Sequence, residues 1–172
     1  MFNIAENAKL VNVMAPISVT ASVALTTEWI SMKNAKRATF LVSLGALDAS
    51  CSTAAVTLNV ADDKDGTHSA TAAASMDLPF EYYYKSGALP SDTFTKTTVA
   101  SSTFTIANDD DNRVLAIPVD AAAMGQFTDT STYDADYVRL AIAVPGGVCV
   151  YGVTCLLTGL RYQSDAPPTA IL

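Results

Sequence analysis

The sequence predicts an all-β chain: a single-domain β-sandwich or flattened barrel, jelly-roll-like, with one short helix. Three observations predict it. Apolar residues recur in short runs with a period near two, most clearly where Val56, Leu58 and Val60 alternate with Thr57 and Asn59. Turn chemistry interrupts these runs every ~8–15 residues, the rhythm of short antiparallel strands. No regular succession of strand and helix appears, so a parallel sheet with crossover helices is not expected.

Taken in order, Lys9–Met14 is the first expected strand, stopped by Pro16, and Glu28–Met32 is the second, followed by the polar turn 33–36. Thr39–Leu44 is a strong third strand ended by Gly45, and Ala54–Val60 a fourth that runs into the turn Asp62-Asp63-Lys64-Asp65-Gly66. Residues 67–75 are small and fit no period. Leu78–Tyr84 reads as a strand whose Pro79 confines it to a sheet edge or a strand start. Thr93–Val99, Thr103–Ala107 and Arg113–Val119 follow, the first two rich in threonine. Asp120 before three alanines, Met124 and Gly125 has the capping pattern of a short helix. Tyr137–Val144 and Val148–Leu157 flank Pro145-Gly146-Gly147, which predicts a hairpin between them. Pro167 and Pro168 keep the tail out of any central strand.

A chain of 172 residues holds one core, so residues 1–172 are read as a single β domain with an N-terminal arm over about 1–8 and a C-terminal tail over about 164–172. Half of the residues are hydrophobic and the mean hydropathy is +0.27, enough to bury a substantial interior. Ten Lys and Arg against 17 Asp and Glu give a net charge of −7. That excess excludes the cationic face that displaces counterions from nucleic acid. It also opposes adhesion to anionic membranes. Only 16% of residues are charged, whereas Ala and Thr number 28 and 20. Such a surface suits a threonine-faced sheet packed against other chains. Residues 1–10 contain Glu6 and Lys9 and lack a basic leader followed by an apolar core, so no secretory signal is expected. No apolar run reaches the ~18 residues of a membrane-spanning helix.

The three cysteines, Cys51, Cys149 and Cys155, are an odd number and too few for a disulfide framework. Cys149 and Cys155 stand six apart in one strand-like run, about 20 Å along a straight strand, and cannot bond each other. They are expected as buried apolar side chains on one face with Tyr151 and Val153, in keeping with assembly in a reducing cytoplasm.

Little in the chain carries chemistry. The single histidine, His68, has no nearby G-x-S-x-G, and one His with three scattered Cys does not make a zinc site. No phosphate-binding glycine loop occurs. An enzyme is therefore not expected, and no catalytic, cofactor-binding or metal-binding residues are assigned. Two acidic runs, Asp109-Asp110-Asp111 and Asp62-Asp63-x-Asp65, could offer oxygen ligands, but neither has the spacing and final glutamate of a calcium loop. They read as solvated turns that discourage edge-to-edge pairing. Tyr82-Tyr83-Tyr84 with Phe80 is the one aromatic concentration: core or protein interface on one reading, a sugar platform on the other.

Three segments carry a resemblance: the opening Met1-Phe2-Asn3-Ile4-Ala5-Glu6-Asn7-Ala8-Lys9-Leu10-Val11, then Trp29-Ile30-Ser31-Met32-Lys33-Asn34-Ala35, and Leu157-Thr158-Gly159-Leu160-Arg161-Tyr162-Gln163 ahead of Pro167-Pro168. Together they resemble a family of small virion-associated proteins of tailed bacteriophages and prophages. The resemblance spans the chain but rests on turns and strand ends, and it supplies no functional residues. It implies a decoration or cement protein on the capsid exterior, made in the host cytoplasm. Its partners would be the major capsid protein and copies of itself, a trimer being the expected ring. A tail, connector or fibre-base component and a carbohydrate-binding module remain alternatives at this stage.

Overall fold

The computed structural model describes residues 8–19, 24–51, 54–71, 80–85, 93–99, 103–107, 110–129, 131–143 and 146–160. Among these the chain forms strands and turns without a helix. The strands are β1 (Ala8–Val19), β2 (Leu25–Thr26), β3 (Ile30–Ser31), β4 (Arg37–Leu47), β5 (Ala54–Ala61), β6 (Ser69–Thr71) and β7 (Phe80–Lys85). They continue as β8 (Phe94–Val99), β9 (Thr103–Ile106), β10 (Val114–Asp120), β11 (Gln126–Thr128), β12 (Thr132–Asp134), β13 (Tyr137–Ile142) and β14 (Cys149–Thr158).

Six strands in the order β1-β14-β4-β10-β7-β8 make the first sheet, and β2-β13-β5-β6 make the second, where β3 also pairs with β13 and β9 with β5. A small hairpin of β11 and β12 stands apart from both. Period-two patterning turns one face of each sheet inward. Phe40, Val42, Leu115, Ile117, Tyr151 and Val153 of the first sheet pack in one cluster with Val56, Leu58, Val60, Val138, Leu140 and Ile142 of the second. This is a β-sandwich, held by side chains that each contribute ~1.5–3 kcal/mol when fully buried.

Four expectations need correction. Residues Asp120–Met124 form a single turn, in which Ala123 N and Met124 N both donate to Asp120 O at 3.0 and 3.3 Å. Asp120 still belongs to β10, and β11 begins at Gln126, which leaves too little chain to propagate a helix. Strands β13 and β14 are not a hairpin: β13 pairs with β5 and β14 with β1 and β4, so the link between them crosses from one sheet to the other. Strand β1 runs through Pro16 to Val19, because an edge strand leaves a proline's missing N–H without consequence; irregularities fall between Asn12 and Met14 and between Met14 and Ile17. Gly152 accommodates that proline, since a Cβ there would lie 3.2 Å from Pro16 Cγ.

The fourth correction concerns the cysteines. Cys51 and Cys149 form a disulfide across 98 residues, their Cα atoms 6.5 Å apart, while Cys155 is a buried free thiol. Distance along one strand separates Cys149 from Cys155 but says nothing about Cys51, which reaches the start of β14 from the connection after β4. The arms, residues 1–7 and 161–172, lie outside the described residues, and Ala8 is already the first residue of β1.

Candidate functional site: the outer sheet faces and the acidic loops

The same alternation that points Phe40, Leu115 and Tyr151 inward presents a second set of residues outward from the first sheet. Register aligns them in rows across four strands: Leu10, Leu156, Thr39 and Pro118 in one, Asn12, Thr154, Leu41 and Ala116 in the next. Leu156, Thr39, Leu41, Ala116 and Pro118 are each partly exposed. Neither row holds a charge. Charge enters where Arg37 and Asp120 lie opposite one another and pair at 3.0 Å, and at Lys96 of β8, which the second row reaches through Tyr83 of β7. Each edge of this sheet also exposes apolar side chains. Leu10 and Ile17 on β1 are 62% and 44% exposed, and Phe94 on β8, at the far edge, is 47% exposed.

The second sheet treats its outer face differently. Tyr137 and Ala61, opposite each other in β13 and β5, pack with Trp29 into a small buried cluster. The Arg139 guanidinium lies 4.3 Å from the Trp29 ring centre, a cation–π contact, and burial lowers its pKa from the ordinary arginine value. Lys33 sits 5.4 Å over the Tyr137 ring and pairs with Asp136 at 3.1 Å. These side chains cover the Ala61–Tyr137 end of this face.

The loop from Asp62 to His68 sits beside that cluster. Asp63 Oδ1 accepts from Asp65 N and Thr67 N at 3.1 and 3.0 Å, which folds the loop back on itself. These bonds, that from Thr67 foremost, hold the Asp63 carboxyl below its ordinary pKa. His68 Nδ1 lies 3.3 Å from Asp62 Oδ2, and its ring stacks on Tyr133 with centroids 4.0 Å apart. The donor atoms of Asp62, Asp63 and His68 all lie within 4.8 Å of one another, a mixed carboxylate–imidazole set that could hold a divalent cation. Asp65 is not part of it and pairs with Lys64 at 2.7 Å. From the sequence His68 reads as a loop or edge-strand residue with no assigned role. Its spacing does not show the tight return of the chain that brings residue 68 back to residue 62.

The second acidic run is structural. Asp110 is buried, takes the Ala107 amide on Oδ2 at 2.8 Å and pairs through Oδ1 with Arg113 at 3.1 Å. Asp111 Oδ1 accepts from Leu47 N at 2.5 Å, which ties this turn to the end of β4. The reading of a solvated turn is therefore corrected for Asp110, and Asp109 lies outside the described residues. The tyrosine run falls in β7, an interior strand of the first sheet: Tyr83 is opposite Ala116 on one side and Lys96 on the other. The side chains of that run also lie outside the described residues. A cleft of about 490 Å³ beside Met32, Met124 and Ala135 has polar walls already paired, Lys33 with Asp136 and Gln126 with Asp134.

These features define the class: an antiparallel two-sheet β domain in which, among the described residues, a Trp29 cluster covers one end of the second sheet's outer face and four strands of the first carry two uncharged rows on theirs. No protein-family model matches the chain, and no curated protein does. Among solved structures, one of the infectious bursal disease virus Gt strain is similar at 10% identity and a TM-score of 0.26, over 92% of this chain and 37% of that one. A second, the infectious bursal disease virus VP2 subviral particle, is similar at 10% identity and a TM-score of 0.25, over 93% of this chain and 46% of that one. The chain thus spans less than half the length of either, and scores this low carry no inference about its role.

Proposed function

We propose that this chain is a structural virion protein of a tailed bacteriophage, a decoration or cement subunit seated on the outer capsid surface, with a structural rather than a catalytic role. One observation carries the reading: four adjacent strands of the first sheet present an outer face on which two neighbouring rows hold no charge across those strands. Such a face meets a partner without stripping water from ions, so most of its burial is favourable. Each contact is modest, and repetition over a lattice turns modest contacts into firm attachment. The resemblance of the chain's three segments to small virion-associated phage proteins supports the same reading. The partners are then the major capsid protein and further copies of this chain.

The test is the copy number of this chain in purified particles, by quantitative mass spectrometry against the most abundant shell protein. A ratio near one, or a simple lattice fraction, is expected. A handful of copies per particle would move the chain to the tail or connector, and absence would end the virion reading. Leu41→Lys, on the exposed side of the central strand β4, is expected to fold and to lose particle occupancy, whereas Lys64→Glu in the far loop keeps it.

A further inference from the structure

The chain passes between the sheets at two places that the disulfide joins. After Leu47, β4 leaves the first sheet, and β5 opens the second at Ala54. After Ile142, β13 leaves the second sheet, and β14 enters the first at Cys149. Cys51 belongs to the first connection and Cys149 ends the second. Asp48 prepares the approach: its Oδ1 accepts from Ser50 N at 2.9 Å and Ser50 Oγ at 2.6 Å, and its carbonyl accepts from Cys51 N at 2.8 Å. Asp48 N in turn donates to Val148 O at 2.9 Å, the backbone bond that links the two connections beside the disulfide. Gly147 is required there, because a Cβ would collide with the Ser50 hydroxyl and with Asp48.

Both sulfurs are fully buried, and the Tyr151 hydroxyl lies 3.3 Å from Cys51 Sγ. The third cysteine does not compete. Cys155 is six residues further along β14, about 20 Å by strand geometry, and burial pushes its thiol up to about 12. A thiol so rarely ionised does not attack the bond or scramble it.

We propose that Cys51–Cys149 is a redox-operated latch on these two of the chain's inter-sheet connections. In the dithiol form the connections are held by packing and by the Asp48–Val148 backbone bond. Oxidation by a low-molecular-weight disulfide forms the Cys51–Cys149 bond and breaks the oxidant's. The two electrons pass to the oxidant, which leaves as two thiols carrying the protons lost by the protein. The closed ring encloses every strand from β5 to β13, most of the second sheet, so closure removes conformational freedom from the unfolded chain. The inference rests on this geometry and not on the virion reading.

The experiment uses the full chain in two forms, oxidised with glutathione disulfide and reduced with dithiothreitol under mild denaturant followed by refolding. Thiol titration of the unfolded protein is expected to give one thiol in the first form and three in the second. The oxidised form is expected to melt roughly 10 °C higher, from the loop-closure entropy of a ring of this size. Limited proteolysis is expected to cut the reduced form faster between Leu47 and Ala54 and between Ile142 and Cys149. Cys155→Ser keeps the redox dependence, and the Cys51→Ser, Cys149→Ser double variant loses it. Three thiols after oxidation, or equal melting and equal cleavage in the two titrated forms, would overturn the proposal. The comparison of wild-type forms stands even if the variants fail to fold.

Discussion

Gly66 lies against the indole of Trp29, so close that a Cβ on it would fall 2.6 Å from Trp29 Nε1, and its φ of +66° is in the left-handed region. The same indole carries Arg139 at 4.3 Å, so the glycine sets the position of a ring that covers the Ala61–Tyr137 end of the second sheet's outer face. Gly66→Ala combines a strained backbone with overpacking and is expected to cost about 2–3 kcal/mol. Urea unfolding measures the loss, and the emission of Trp29, the only tryptophan, reports whether the ring has moved. An unchanged midpoint would mean that the indole yields freely.

The two acidic runs should separate sharply under substitution. Asp110 is 6% exposed and serves both the Ala107 amide and the Arg113 guanidinium. Asp110→Ala removes the acceptor that these two part-buried groups share and is expected to cost about 2–4 kcal/mol. Asp65 meets Lys64 in the open, and Asp65→Ala is expected to stay within about 0.5 kcal/mol of the parent. Denaturation midpoints of the pair decide it, and similar losses would contradict the assignment.

Acid sensitivity should trace in part to Asp63, whose carboxyl the loop amides hold below the ordinary value of 3.8. The unfolded chain takes up this proton at higher pH than the folded one. The contribution is therefore complete above the unfolded value and drains away as pH falls through the lower folded value. Asp63→Asn keeps an acceptor without the titration, so its stability should vary less with pH below 4 than the parent's. Parallel acid limbs for the two proteins would refute this.

Tyr151 works in the opposite direction at high pH. Burial pushes its hydroxyl from 10 up to about 12, so its stabilising contribution is intact below pH 10 and is lost as pH rises through about 12. Cys155 moves the same way, from 9 to about 12, and Cys155→Ser removes that second titration from the comparison. In that background Tyr151→Phe should flatten the alkaline limb of stability, followed by circular dichroism with tyrosinate absorbance. Equal slopes with and without the hydroxyl would show that Tyr151 ionises at the same pH in the folded and the unfolded chain, and would refute the shift.

Much of the local structure was legible in advance. The alternation of Val56, Leu58 and Val60 locates β5 within a residue of its observed end, and odd positions from Cys149 to Leu157 face the core as the pattern requires. Residues 67–75, with no period to read, contain only the three-residue strand β6 among those described. The candidate surfaces were less visible. The loop acids gave no sign that Asp110 would be buried while Asp65 stayed exposed, because burial depends on what packs above a turn.

The sequence by itself determined the strand class, the inward face of each long strand and the low charge of the surface. These follow from side-chain periodicity and composition, which act over a few residues. Tertiary structure alone decided that β13 and β14 belong to different sheets, that Asp120–Met124 stays a single turn, that His68 returns to Asp62 and that Cys51 meets Cys149. Each of those outcomes pairs or excludes groups through the whole packed sandwich. A strand's own pattern is satisfied equally well by any partner of matching face, and only competition among the strands, fourteen of them among the described residues, selects one.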